Sequence, residues 1–512
     1  MNDPSALIIW MNDSKASLDA VVGVKAAALA RISGLEINQT QPSLAAMNAT
    51  GASSSIPTPE GFVIGVEACQ IFLNQPMIQI PLQELFLGLE SGDLNDQVFS
   101  VQAQKLVSST PLPENLLELL RSAFEQLLQS EHGLSPLAVR SSATCEDLAN
   151  ASFAGQFDSF LSICSVEQAL SAYRSVIASL FSLRVIAYCR AHNQSLPNNK
   201  MAVLVQRMVR ADIGKSGVLI STDPDLIEGR EFRLDSQTDK TPKLDVTDAS
   251  VASIEACWGL CDALASGAIV PERYYIDNHP LVESGAANIY VSRQQQQFKS
   301  VGSEKLEPTT RAEQTSQVLS PEQILLLNHW GQQLAGVFGQ PVEVEWAVDG
   351  VTYEMLLVQV RPFSFRSSAQ ASSTRFTKKN PKPNRELKEP IIRGVGIGSG
   401  TIEGQVSVVE HIDDGPEFRE GDVLVTQSTD PAWLPLMVLA SAIITEQGGR
   451  NSHAAILARE LGLLCVVGCV GATQLLRGVD RVRVTCSGGA GEVTDLSTLT
   501  EADLPGTSGK DA

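Results

Sequence analysis

Of six histidines in 512 residues, one stands where its chemistry would be used: His453, in TEQGGRNSHAAILARELG. Gly448-Gly449 permits a sharp turn after a strand, and the residues that follow predict a helix beginning at or just before the imidazole. Backbone N–H groups and the positive end of the helix dipole stabilise a phosphate in that position by up to ~2 kcal/mol. A phosphorylated imidazole is therefore a natural occupant, although most histidines are satisfied core or surface side chains. A second constellation lies on PVEVEWAVDG and MLLVQVRP. Residues two apart on a strand share a face, so Glu343 projects with Glu345 and Gln359 with Arg361. Hard oxygen ligands beside a phosphate-bearing substrate select Mg²⁺. Taken alone, the tetrad is better explained by an ion-paired surface hairpin.

The elements that must position these residues are of mixed type. Helical patterns at Glu114–Gln129 and Val166–Arg190 alternate with strand-like runs at Val203–Met208, Gly217–Ser221, Val342–Trp346 and Leu356–Val360. Ser320-Pro321-Glu322 reads as a helix start. After a polar stretch, glycine-punctuated strands surround the helix that carries His453. The expected fold is thus α/β (α+β) throughout. Small polar residues from Asn38 to Ser55 read as a surface loop. Residues 366–393, rich in Ser, Pro, Asn and Lys, read as a basic flexible linker. Boundaries follow at 1–200, 201–365, 394–497 and 498–512, the last a tail.

Length suits two to four domains, and 43% hydrophobic with 19% charged residues is a globular composition. A formal charge of −20 opposes nucleic acid and anionic membrane surfaces, and neither is an expected partner. No apolar run reaches the roughly 18 residues of a bilayer span, the first ten residues lack a secretory pattern, and nine cysteines, an odd number spread singly through apolar stretches, agree with reduced thiols. The expected location is the cytoplasm. Two CxxxC pairs, Cys257/Cys261 and Cys465/Cys469, lack the histidines of a zinc set.

The His453 segment resembles the phosphohistidine domain of the phosphoenolpyruvate synthase and pyruvate phosphate dikinase family, whose signature runs TxxGGxxxHAAIxARE. Thr429-Asp430-Pro431, Trp433 and Pro435 resemble the element that faces the histidine there. The resemblance continues upstream almost end to end. Val22-Gly23-Val24-Lys25 resembles the VGGK element, in which Lys25 meets phosphates. LAVRSSATCEDLANASFAGQFDSFL resembles the triphosphate segment, in which Arg140 grips phosphate with a planar fork of donors and Gly155 lets the backbone close over it. Val205–Val209 resembles the strand whose edge reads adenine, implicating Gln206 and Met208. Ser216-Gly217 matches a small-residue loop over the phosphates. Positions matching Glu343, Glu345, Gln359 and Arg361 touch nucleotide, with Glu345 and Gln359 on the metal. The family's GLGE is Gly259-Leu260-Cys261-Asp262 here, so Asp262 offers the carboxylate on a shorter arm.

The resemblance implies an ATP-grasp nucleotide-binding domain followed by a swivelling β/β/α phosphohistidine domain, with ATP and Mg²⁺ as cofactors. Catalysis falls to His453, Arg140 and Arg361. The expected activity is transfer of a phosphoryl group from ATP to His453 and on to a small-molecule acceptor, releasing AMP and phosphate. An energising phosphocarrier whose acceptor domain is a separate subunit is a second reading, and a ligase, condensing enzyme or degenerate nucleotide-binding regulator a third. No segment is left for the family's phosphoenolpyruvate or pyruvate barrel, so a complete synthase is not expected.

Overall fold

The computed structural model describes residues 7–35, 55–130, 133–146, 155–191, 199–223, 251–278, 289–292, 298–302, 305–363, 389–412 and 418–496, with Phe153, Gln194, Leu196, Leu226 and Gln296 between them. They fall into two compact units, one drawn from 1–223, 248–265 and 269–364, the other from 224–247, 266–268 and 365–512. The polar loop expected at Asn38–Ser55 lies outside the described residues except for Ser55. So do residues 366–388 of the linker and the tail beyond residue 497.

Valine- and isoleucine-rich runs build the first unit as two antiparallel sheets. The first holds β1 (Ile8–Trp10), β2 (Gly61–Ile64), β3 (Leu137–Ala143), β4 (Ser159–Ile163) and β5 (Met201–Arg207), in the order β1-β2-β5-β3-β4. The second holds β6 (Lys215–Ile220), β7 (Val251–Trp258), β8 (Glu272–Asp277), β9 (Ile289–Ser292), β10 (Val342–Val348) and β11 (Met355–Pro362), ordered β9-β8-β7-β6-β10-β11. Because side chains alternate across a strand, Ile254, Ala256 and Leu219 face inward while Glu255, Cys257 and Val218 share the other face.

Helix α1 (Val24–Ile32) buries Ala26, Ala27, Ala28, Leu29 and Ile32 in a core that also takes Leu204 from the first sheet and Ile254 and Trp346 from the second. Helices α2 (Glu114–Leu128) and α3 (Val166–Ala178) follow their periodic patterns. The expected single helix over Val166–Arg190 is interrupted by a 3-10 turn at Ser179–Phe181, and α4 (Leu183–Ala191) starts afresh after Ser182, whose extended backbone breaks the ladder. This stretch is apolar enough to cross a bilayer by composition, yet 67% of its apolar window is buried inside the protein, as befits a core helix. Helix α5 (Pro321–Phe338) begins as the sequence predicts: Ser320 accepts from the Gln323 backbone and Gln323 reaches back, closing a capping box with Pro321 in the first turn.

The second unit is a closed barrel of β12 (Ile392–Ile397), β13 (Gly400–Val408), β14 (Val423–Thr426), β15 (Ala442–Thr445), β16 (Leu464–Val467), β17 (Arg481–Ser487) and β18 (Ala490–Asp495), in the ring order β12-β16-β15-β14-β13-β17-β18. Its first strand begins at Ile392, two residues before the expected domain start. Val423, Val425, Ile444, Val466 and Val484 fill the interior. Helix α6 (His453–Leu461) leaves the barrel after β15 and ends at Gly462, a left-handed cap.

Candidate functional site

In the first unit, the end of β3 is stitched to the start of α1. Ser142 Oγ accepts from the Ala26 backbone N–H at 3.0 Å and donates to the Val22 carbonyl at 2.8 Å. Gly23, at φ +74°, is obligatory here, because a Cβ would lie 1.8 Å from the Ser142 carbonyl oxygen. This brings Lys25 Nζ to 3.2 Å from Ser141 Oγ and 3.1 Å from a Glu146 carboxylate oxygen.

Arg140, one residue earlier on β3, reaches across to the second sheet. Its guanidinium donates to Gln359 Oε1 at 2.7 Å, Glu345 Oε2 at 2.9 Å and the Val358 carbonyl at 2.9 Å. The tetrad lies in direct register, Glu343 opposite Arg361 and Glu345 opposite Gln359, with a bulge between Glu345 and Trp346 that ends the regular alternation. Arg361 grips Glu343 through two nitrogens at 2.6 and 2.9 Å, and both side chains are nearly buried. The hairpin is therefore ion-paired, but it faces a partner sheet and not open solvent.

The same row continues across the sheet. Gln359, Glu345, Val218, Glu255 and Arg273 follow one another on successive strands. Glu255 and Arg273 form a buried ion pair at 3.1 Å that the sequence reading did not find. Alternation in SIEACW marks Glu255 as sharing a face with Cys257, but only the pairing of β7 with β8 places Arg273 opposite it. Glu146 was missed for a similar reason, since its partner is 121 positions away in sequence.

Two local expectations change. Ser216 and Gly217 lie in β6, not in a loop. Ser216 donates to the Gly259 carbonyl at 2.7 Å, and Gly217 leaves room for the Glu255 carbonyl and the Trp346 ring, 1.9 and 2.6 Å from where a Cβ would stand. Strand β5, expected to offer its edge, is interior: Gln206 pairs with Gly61 and Ala138, and Met208 N–H donates to the Pro136 carbonyl. The Arg207 N–H likewise donates to the Glu60 carbonyl, while the Gln206 side chain is buried and Met208 sits against Ser162. Gly155 adopts φ +70°, and residues 147–152 beside it lie outside the described set.

Asp262 opens the short helix Asp262–Ala265 and accepts from the Ala263 N–H at 2.8 Å. Burial pushes its carboxyl pKa up, opposed by hydrogen bonds from Ser300 and Ala263. Neighbouring Cys257 is pushed up to about 12 by burial, which keeps it a thiol. Among the described residues no group of three His, Cys, Asp or Glu side chains is arranged to hold a metal ion. Glu345 and Gln359 alone suit Mg²⁺ that arrives with phosphate oxygens and water, the usual mode for that ion.

In the second unit, Gly448 at φ +107° turns the chain out of β15. Ser452 is the N-cap residue of α6, its hydroxyl donating to the Gly449 carbonyl at 2.9 Å. His453 is the first helical residue, with Nδ1 3.2 Å from Thr429 Oγ1. Buried Arg459, a turn and a half along, donates to the Arg450 carbonyl at 2.7 Å and fixes the entry to the helix.

Two antiparallel sheets that focus cations and carboxylates on one row, with a separate barrel presenting a histidine at a helix start, define an ATP-grasp domain joined to a phosphohistidine domain. Residues 19–381 match the family model for the pyruvate phosphate dikinase AMP/ATP-binding domain, and residues 418–489 match that of the PEP-utilising enzyme mobile domain. The chain belongs to the phosphoenolpyruvate synthase and pyruvate phosphate dikinase family of enzymes. Similar proteins include phosphoenolpyruvate synthases of Helicobacter pylori (33% identity, covering 85% of this chain and 53% of the relative), Aquifex aeolicus (30%, 94% and 54%) and Escherichia coli (32%, 95% and 57%). The chain thus spans little more than half the length of these relatives.

Proposed function

We propose that the chain takes a phosphoryl group from Mg·ATP onto His453 and passes it to a small-molecule acceptor, with AMP and phosphate as the other products. The reading rests above all on Arg140, Glu345 and Gln359 converging from two sheets, with polar atoms 2.7–2.9 Å apart. Arg140, Lys25 and Arg361 supply cations for the triphosphate. Glu345 and Gln359 would hold Mg²⁺, which when bound withdraws charge from the phosphate oxygens. Asp262 meets the sugar, Glu343 orients Arg361, and Gln206, Met208, Gly155, Ser216 and Gly217 shape the pocket for base and phosphates. Thr429 holds Nδ1 of His453, so Nε2 attacks the β-phosphorus while the P–O bond to the α-phosphate breaks and its electron pair leaves on AMP; water then takes the outer phosphoryl group from the histidine-bound diphosphate as inorganic phosphate. The helix start then stabilises the new phosphate. The working boundaries are 1–200 and 201–365 for the nucleotide part, 366–393 for a linker, 394–497 for the histidine part and 498–512 for a tail.

Incubation with ATP labelled in the β or γ position should give an acid-labile, base-stable label that His453→Ala abolishes. Retained β label marks AMP-forming chemistry, and γ label alone a simple kinase-like transfer. A labelled His453→Ala protein would overturn the assignment. The phosphoenolpyruvate synthase names of the relatives favour pyruvate as acceptor, and our reading places the reaction in the cytoplasm, with a separate acceptor subunit as the second reading.

A further inference from the structure

Each cation of the proposed nucleotide site has its own carboxylate. Arg140 is paired with Glu345 and Arg361 with Glu343, both from the hairpin. Lys25 is paired with Glu146, three residues beyond the end of β3, a residue no reading of the sequence singled out. The geometry around it is specific. Glu146 Oε1 lies 3.1 Å from Lys25 Nζ and 3.4 Å from Ser141 Oγ, while Ser141 Oγ lies 3.2 Å from the same Nζ. Glu146 is 1% exposed and the Lys25 side chain 16%.

An ammonium has three N–H donors. Glu146 and Ser141 occupy two of those on Lys25, which leaves the third for one further acceptor. A lysine stem is otherwise long and flexible, and holding it costs rotamer entropy that a neighbouring anchor settles in advance. Unlike Glu345, Glu146 is closed off from solvent, so it is badly placed to follow an incoming metal and well placed to stay with its lysine.

We propose that Glu146 is the positioning residue for Lys25, fixing its ammonium so that one donor meets a phosphate oxygen and biasing the site toward magnesium-bound over magnesium-free nucleotide. The inference rests on the phosphate-binding reading of Lys25. The bias follows from charge: a buried carboxylate beside the phosphate subsite repels a bare triphosphate more than one whose charge a metal has halved. Removing that charge without changing the shape should therefore tighten binding of metal-free ATP while loosening the lysine that acts in the transfer.

The test is ATP binding by calorimetry, with Mg²⁺ and with a chelator, alongside single-turnover labelling of His453, in the full chain carrying Glu146→Gln or Glu146→Asp. For Glu146→Gln the expected result is about tenfold tighter binding of metal-free ATP, a smaller gain with Mg²⁺, and a labelling rate at least about tenfold lower. Glu146→Asp, which keeps the charge, should recover most of the rate and the preference for the magnesium complex. A residue with a merely structural role would weaken both forms of ATP alike, lower the melting temperature and show no such recovery. That result, or a Glu146→Gln protein that behaves as wild type, overturns the inference and leaves the proposed function standing. A wild-type chain that binds no nucleotide overturns both.

Discussion

At the scale of single residues, the site is built from pairs whose members cannot be removed independently. Arg361 and Glu343 are both nearly buried. Deleting one strands the other, which typically costs about 3–5 kcal/mol for a buried pair. Arg361→Met should therefore lower the denaturation midpoint and abolish His453 labelling, while Arg361→Met with Glu343→Leu should regain much of the stability and none of the labelling. Asp262 behaves oppositely. Its folded pKa lies above the ordinary carboxyl value, so the fold holds its proton more tightly than the unfolded chain does. The stabilisation this gives is complete below the unfolded value and is lost as pH rises through the folded one. Asp262→Asn should accordingly raise the melting temperature at pH 7, with little effect near pH 3, and weaken ATP binding at both. A melting temperature unchanged at pH 7 would show that burial does not act on this carboxylate.

At the scale of elements, glycine placement decides whether strands can approach. Gly217 brings β6 close to β7 and to the Trp346 ring on β10, and a methyl group there would overlap the Glu255 carbonyl. Gly217→Ala should destabilise the first unit by about 2 kcal/mol or more and shift β7, measured by denaturation and by amide exchange on Val251–Trp258. Strand and helix positions were legible because their signals are local: the alternation of PVEVEWAV, the Ser320-Pro321 cap and the glycines before His453. Pairing was not. That β5 is interior depends on neighbours far away in the chain, whereas the residues themselves read as strand from Gly217 on and it is the family resemblance that sets Ser216-Gly217 in a loop. The Arg140 contacts to Glu345 and Gln359 join positions more than 200 residues apart. Family resemblance grouped those residues, but the cross-sheet grip itself is a product of tertiary packing.

At the scale of the whole molecule, two independently cored units divide nucleotide chemistry from histidine chemistry, as the separate family matches over 19–381 and 418–489 also do. Residues 389–496 expressed alone should fold cooperatively, with a single thermal transition. They should accept no label from ATP until the first unit is added, and spontaneous labelling would place a nucleotide site on the barrel itself. Ring closure also fixes where this portion of chain starts and stops. Ile392 on β12 is paired directly with Val493 on β18, so entry and exit lie side by side on adjacent strands. A part whose two ends meet can be spliced into a surface loop of another protein without prying that loop open. The barrel is in this sense a plug-in cassette, and the lengths of sequence on either side of it are free to differ from one relative to the next while the cassette itself keeps its geometry.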